Sequence, residues 1–478
     1  MANISSATSG NWRADDADTW GLGIGNYPAA GDLVTILNGH DVTLVEDNVA
    51  GAVVINSGGT ITGGGNKLTL DDNAGTTFIF SSVGSGVSGK SAIEGVLDID
   101  ITGGSADRPI NEAGTGNIRN LVINNAQTYL CHYHLTLDGN LTITEGTLNT
   151  QNSGGTDNNL TVGTNTDDGG ATGHLRIKDA GELICNSSTV IVGSVHCEIA
   201  SGSSGAGFAE LNLPDSSGSF TVRGPEVSNY VFRLDNQAEC NHNGGTVTFS
   251  LTAENHASIM DVTSLQGTGV NNILVTQSVR TSNGNSLQFQ GSDQVKGNLT
   301  LTGNGSQSCI VDTNYDSASL TVDGDVTVNN HSTLIKRTTN TGNYSFGSLT
   351  INSGGTYNAT SGTTTITNES SSGLAINNDG TFTHNKGTVK IDYDSTTSLD
   401  LTGTGSVNLY NLIVDSDATV SYSASVIENN LTKQGAGLMR PDGDSGRNLT
   451  VKGTFLMQAG SFGRGANDTH TNTFGNIV

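Results

Sequence analysis

Ser348-Leu349-Thr350-Ile351, Thr364-Thr365-Ile366, Leu374-Ala375-Ile376 and Val389-Lys390-Ile391 follow one another within residues 347–391. Each piece is of strand length. In each, apolar residues alternate with Thr, Ala or Lys, the period-two pattern of a strand with one buried face. Between the pieces lie Ser353-Gly354-Gly355, Asn377-Asn378-Asp379-Gly380 and Asn385-Lys386-Gly387. These residues tolerate positive φ or bond to their own backbone, so they turn the chain. A helix has no place in such a pattern.

The same units recur at long range. Ile55-Asn56-Ser57-Gly58-Gly59-Thr60 returns letter for letter as Ile351-Asn352-Ser353-Gly354-Gly355-Thr356. A longer unit occurs three times: a strand opened by Gly, a Gly-Thr-Gly turn leading into an Asn-rich strand, and an Asn-Leu-Thr strand. Its first copy contains Gly95-Val96-Leu97-Asp98-Ile99, Asn120-Leu121-Val122-Ile123 and Gly139-Asn140-Leu141-Thr142-Ile143. The second contains Gly245-Thr246-Val247, Asn272-Ile273-Leu274-Val275 and Gly297-Asn298-Leu299-Thr300-Leu301, and the third Gly387-Thr388-Val389, Asn411-Leu412-Ile413-Val414 and Asn430-Leu431-Thr432. The Gly-Thr-Gly turns, at Gly114, Gly267 and Gly403, stand 153 and 136 residues apart. From each turn to the third strand the distance is 25, 30 or 26 residues.

A return every twenty-odd residues is the length of one coil of a parallel β-helix, in which strands of successive coils stack and pair. The expected fold is therefore all-β: a single elongated, right-handed parallel β-helix of roughly 15–20 coils, or ~80–90 Å at ~4.8 Å per coil. One β-sandwich per long repeat is the alternative. Residues 1–31, with the only tryptophans (Trp12 and Trp20), read as an N-terminal cap that covers the open end of the stack. Residues 32–438 form the body, with long repeats at 95–144, 245–302 and 387–433. Residues 439–478, where Met439, Phe455, Met457, Phe462 and Phe474 gather, read as a C-terminal cap or association segment.

Composition narrows the function classes. The chain has 65 Gly, 5 Pro, 34% hydrophobic residues and a net charge of −25. Disordered chains are rich in Pro, Glu and Lys, whereas this one is poor in all three and patterned throughout. Only 20 Lys and Arg are scattered along it, which argues against a nucleic-acid partner. No run of about 18 apolar residues exists, and Met1-Ala2-Asn3-Ile4-Ser5 lacks the regions of a secretory signal. Synthesis in a cytoplasm without membrane insertion is expected. Cys131, Cys185, Cys197, Cys240 and Cys309 are odd in number and lack a C-x-x-C pair, so they read as reduced core residues.

Candidate chemistry is sparse. His132 and His134, two apart on an expected strand, would share a face, yet a closed metal site needs further ligands, and those nearest in sequence are coils away. His242 and His384 hold the same place in His242-Asn243-Gly244-Gly245-Thr246-Val247 and His384-Asn385-Lys386-Gly387-Thr388-Val389, so they read as turn or stacking elements. Asp98 with Asp100, and Asp392 with Asp394, are spaced as a glycan-cleaving carboxylate pair would be. Their repeat equivalents are Thr248, Ser250 and Lys390, and such free exchange marks a solvated face. Asp442-Gly443-Asp444-Ser445-Gly446, Asp15-Asp16-Ala17-Asp18 and Gly63-Gly64-Gly65-Asn66 leave room for structural calcium without requiring it. No nucleophile elbow, phosphate loop or nucleotide fingerprint is present. The sequence thus assigns no catalytic residue, no binding residue, no metal ligand and no cofactor.

The opening Ile4-Ser5-Ser6, Gly10-Asn11-Trp12, Pro28, Gly31-Asp32, Val34-Thr35-Ile36 and Gly39-His40-Asp41-Val42-Thr43 resembles the amino-terminal region of β-helical structural proteins of tailed bacteriophages and of some bacterial surface adhesins. The two His-Asn turns and Tyr410-Asn411-Leu412-Ile413-Val414 resemble repeats of the same group. The resemblance implies a non-enzymatic virion protein, such as a tail fibre, tailspike or capsid decoration, assembled in the host cytoplasm and exposed outside the cell. It further implies a homotrimer, contact with other virion proteins, and attachment to host-surface glycans. The alternatives are a polysaccharide lyase or glycoside hydrolase on the same scaffold, and a cell-surface adhesin or layer protein.

Overall fold

The computed structural model describes residues 2–13, 17–23, 25–71, 80–83, 93–94, 97–103, 108–113, 118–163, 173–198, 208–224, 230–235, 237–251, 259–262, 267–277, 287–305, 308–335, 337–400, 408–423, 425–441, 448–463 and 471–478. Among the described residues 57% are strand and 1% helix. Among the described residues the strand-to-strand pairings are parallel and link coil to coil, so the fold is a parallel β-helix. The helix is Ala17–Trp20. Two compact units are present, Met1–Thr246 with Ser264–Thr268, and Val247–Thr263 with Gly269–Val478.

In the first unit the chain returns to the same sheet at every coil. Asn3–Ser5 pairs with Leu33–Ile36, which pairs with Ala52–Ile55 and then Phe80–Val83. Further along, Asp98–Ile101, Asn120–Cys131, Leu141–Asn149, His174–Ile184, Ser194–Glu198 and Tyr230–Leu234 pair in succession. On another face Leu135–Leu137, Leu160–Val162, Thr189–Val192 and Ser219–Val222 do the same. Inward positions stack into apolar columns: Leu121, Leu141, Leu175, Val195 and Phe232 share one register and are all buried. Each such side chain contributes about 1.5–3 kcal/mol through burial. A core one residue wide is enough, which is how a chain only one-third hydrophobic folds. At the amino end, Trp12 and Trp20 are buried edge to face with ring centroids 5.1 Å apart.

The second unit repeats the arrangement. Tyr344–Ile351 pairs with both Thr363–Ile366 and Leu374–Asn378, Thr363–Ile366 pairs with Thr388–Ile391, and that strand pairs with Asn411–Val414. Leu431–Lys433, Leu449–Met457 and Thr473–Ile477 continue the stacking, so the described residues of the 439–478 stretch include paired strands. There Tyr422, Phe455, Phe462 and Phe474 form a ring cluster with centroids 5.0–6.2 Å apart. One strand departs from strict alternation. Ala375 and Ile376 are both buried and Leu374 is not, because the register slips between Leu374 and Ile376. A bulge of this kind re-aims a side chain that alternation alone would place inward.

The Asn-rich motifs have a structural cause. Asn120 Oδ1 accepts the backbone N–H of Asn140 at 2.8 Å, and Asn140 Oδ1 accepts that of His174 at 2.9 Å. Likewise Asn272 Oδ1 accepts the Asn298 N–H at 2.9 Å, and Asn298 Oδ1 that of Asp325 at 2.7 Å. Each carboxamide caps the strand start one coil on, giving a ladder beside the sheet. The glycine before the Asn follows from this ladder: a Cβ on Gly139 or Gly297 would collide with the carboxamide oxygen of Asn120 or Asn272. The second and third strands of each long repeat are therefore neighbouring rungs, with Leu121 opposite Leu141, Ile273 opposite Leu299 and Leu412 opposite Leu431.

Candidate ligand-binding recess

His132 and His134 are not on a strand. The strand ends at Cys131, and both imidazoles lie in the turn that follows. Cys131 is buried, whereas Tyr133 is exposed. His134 Nδ1 accepts the Asn159 N–H at 2.9 Å, which commits it to holding the next coil. The expected shared strand face is thus corrected to a turn. Among the described residues no three His, Cys, Asp or Glu side chains gather as metal ligands do. Asp15, Asp16 and residues 442–446 lie outside the described residues.

His242 and His384 are equivalent turn elements, as the repeat predicts. His242 Nδ1 accepts the Gly244 N–H and His384 Nδ1 the Lys386 N–H, both at 2.9 Å. Asn243 and Asn385 share a φ of 45°, and their Nδ2 groups donate to the carbonyls of Leu213 and Ala359 on the preceding coil. His384 also stacks on Tyr410 with centroids 5.4 Å apart. The carboxylate pairs face outward. Asp98 accepts from Asn120 Nδ2 at 2.8 Å, and Lys67 lies 3.6 Å from Asp100. Lys390 bridges Asp392 and Asp415 at 2.8 and 2.9 Å, and Asp394 accepts the Asp417 N–H. All five cysteines are buried thiols outside any disulfide, and burial pushes the Cys240 and Cys309 thiols up to about 12.

A recess among the described residues is one that sequence reading missed. It measures about 380 Å³ and lies on the outward face of His174–Ile184, Ser194–Glu198 and Tyr230–Leu234. Arg176 pairs with His196 and His196 with Arg233, and Lys178 pairs with Glu198. These residues alternate with the buried Leu175, Ile177, Val195, Cys197, Phe232 and Leu234, so the inward column fixes the outward one. Arg176 donates through Nε and Nη2 to one oxygen of Glu198 at 3.0 and 2.9 Å. His196 spans Glu198 at 3.0 Å and Asp235 at 3.4 Å, and Arg233 Nε lies 2.8 Å from Asp235. The Arg233 guanidinium sits 4.9 Å over the Tyr230 ring. Asp179, also lining the recess, has a φ of 44° and bends the long strand between its two halves.

Past that bend the same coils carry a second pattern. Glu182, Glu210 and Glu239 stack in one register; Asn212 Nδ2 donates to both Glu182 and Glu210, and Asn241 Nδ2 to Glu210 and Asn212. Burial pushes the Glu182 carboxyl up from its ordinary range, against the lowering effect of the Thr147 hydroxyl that donates to it at 2.7 Å, and Glu210 pushes it the same way. The recurrence of Glu182-Leu183, Glu210-Leu211 and Glu239-Cys240 at 28 and 29 residues was the legible signal for this column. Fold and surface together define a parallel β-helix bearing polar and charged ladders on its outward faces. No protein-family model, curated protein or solved structure matches the chain.

Proposed function

We propose that this chain is a non-enzymatic attachment protein of a tailed-phage particle, a fibre, spike or capsid decoration that presents a rigid outward face to a host surface. The observation that carries this reading is the recess itself. Its polar and charged groups are laid across three consecutive rungs and held by the Arg176–Glu198 and Arg233–Asp235 ion pairs with the His196 imidazole between the two carboxylates, a preformed surface suited to holding a ligand. A glycan-cleaving site asks for something else, a carboxylic acid kept protonated beside an ionised partner. Glu198 and Asp235 instead lie against guanidinium groups. The opening-segment resemblance supports the virion context, and the Asn ladder supports a body whose polar residues serve stacking.

A polysaccharide-cleaving reading is favoured by one feature, the Glu182 carboxyl raised by burial with Glu210 one rung away. At the ~4.8 Å rung spacing the two are as close as a retaining glycosidase pair. Labelled protein mixed with bacterial cells and purified capsule or lipopolysaccharide separates the readings. Surface labelling without chain shortening is the expected result. Shortening of the glycan would replace the attachment reading with the enzymatic one.

A further inference from the structure

We infer that the recess of Arg176, Lys178, His196 and Arg233 binds an extended anionic polysaccharide segment, one with carboxylate or sulfate groups along its length; this rests on the attachment reading and names its ligand. Cationic surface is scarce in a chain with 20 Lys and Arg against 45 Asp and Glu. Here three of those cations share one face, Arg176 and Lys178 on one strand and Arg233 two rungs on, with His196 on the strand between. Stacking Arg176, His196 and Arg233 in one register sets basic groups on neighbouring rungs, an arrangement that costs stability on its own. Glu198 and Asp235 offset that cost from beneath. The cations are the outer groups, at 48%, 33% and 38% side-chain exposure for Arg176, Lys178 and Arg233, against 23% and 26% for Glu198 and Asp235. A ligand therefore meets three cations as the outer groups above the acceptors Glu198 and Asp235, with the Asp179 carboxylate also lining the recess.

That layering selects among anions. Arg176 and Arg233 stand two rungs apart, about 10 Å, more than one sulfate or carboxylate spans, so the matching ligand carries repeated charges. The floor carboxylates accept hydrogen bonds from hydroxyl groups, which a sugar polymer supplies along with its anionic groups. DNA offers phosphates but few hydroxyl donors, and nucleic-acid binding of either kind needs a wide basic surface that a −25 chain lacks. Both guanidinium groups are already fixed, one on Glu198 and one between Asp235 and Tyr230, so little side-chain freedom is lost on binding.

Titration calorimetry of the full chain at low salt tests this with four probes: oligogalacturonate, sulfated dextran oligomer, neutral dextran, and a single-stranded oligonucleotide of equal charge. One or both anionic saccharides are expected to bind, with affinity at least tenfold weaker in R176Q/R233Q, partly kept in R176K/R233K, and unchanged in K452Q. Should R176Q/R233Q lose its β-sheet circular dichroism, K178Q at the rim is read instead and is expected to weaken binding about threefold. Unaltered affinity in these recess variants, equal binding of neutral dextran or the oligonucleotide, or no binding of either anionic saccharide would overturn the site. If the native chain labels no cells, the attachment reading falls separately. Equal cell labelling by native protein and R176Q/R233Q would overturn the recess alone.

Discussion

Gly139 shows how one residue is dictated by the coil below it. Its missing Cβ leaves room for the Asn120 carboxamide that caps Asn140, and the carbonyl of Arg119 would sit 2.7 Å from any Cβ placed there. Gly139→Ala should therefore destabilise the protein by about 1–3 kcal/mol in urea unfolding, as overpacking does. Gly154→Ala, whose nearest neighbour would be 3.3 Å away at the Asn152 side chain, should stay within about 0.5 kcal/mol. Asp293 gives the pH counterpart. It is 1% exposed, and burial pushes its carboxyl up to about 6 although the N–H groups of Val262 and Gly291 donate to it. The native state thus takes up the proton at a pH where the unfolded chain has released it. On this group alone, stability rises as pH falls through 6 towards 4, and the burial penalty above pH 6 is about 3 kcal/mol. Asp293→Asn should remove that part of the slope, read as the difference in urea midpoint between native and variant at pH 4.5, 5.5 and 7.

At the scale of elements, repetition in sequence is repetition in geometry. Gly58 and Gly354, in the two identical hexapeptides, have φ of 82° and 79°, and the N–H groups of the glycines after them donate the same turn bond to the Asn56 and Asn352 carbonyls at 2.8 Å. The two His-Asn turns match as closely. His384→Ala should cost about 1–2 kcal/mol, from the lost Lys386 bond and the Tyr410 stack, and His242→Ala about 1 kcal/mol, both read by thermal melting. Strands and turns were legible because inward alternation and positive φ are local demands. The recess was not, since Arg176, His196 and Arg233 are separated by 20 and then 37 residues and no fixed period links them. Excursions of unequal length between strands hide which outward residues become neighbours. The Leu374 bulge and the turn after Cys131 escaped for a related reason: register slips and strand ends are set by the adjacent coil.

On the scale of the whole molecule, both units obey one rule, in which each coil templates the next through parallel pairing, buried columns and capping carboxamides. Function, in this account, comes from what the inward rule leaves over. The outward positions are free to vary, and on the coils of residues 174–235 they collect the charged recess. The direct test of stacked parallel coils uses engineered cysteine pairs on outward positions of the second unit. Thr365 is opposite Lys390, whereas Thr432 lies three rungs from Thr365 along the same column, about 14 Å away. With the native cysteines buried, mild oxidation should cross-link T365C/K390C and leave T365C/T432C reduced. Equal cross-linking of both pairs, or of T365C/T432C alone, would contradict the account.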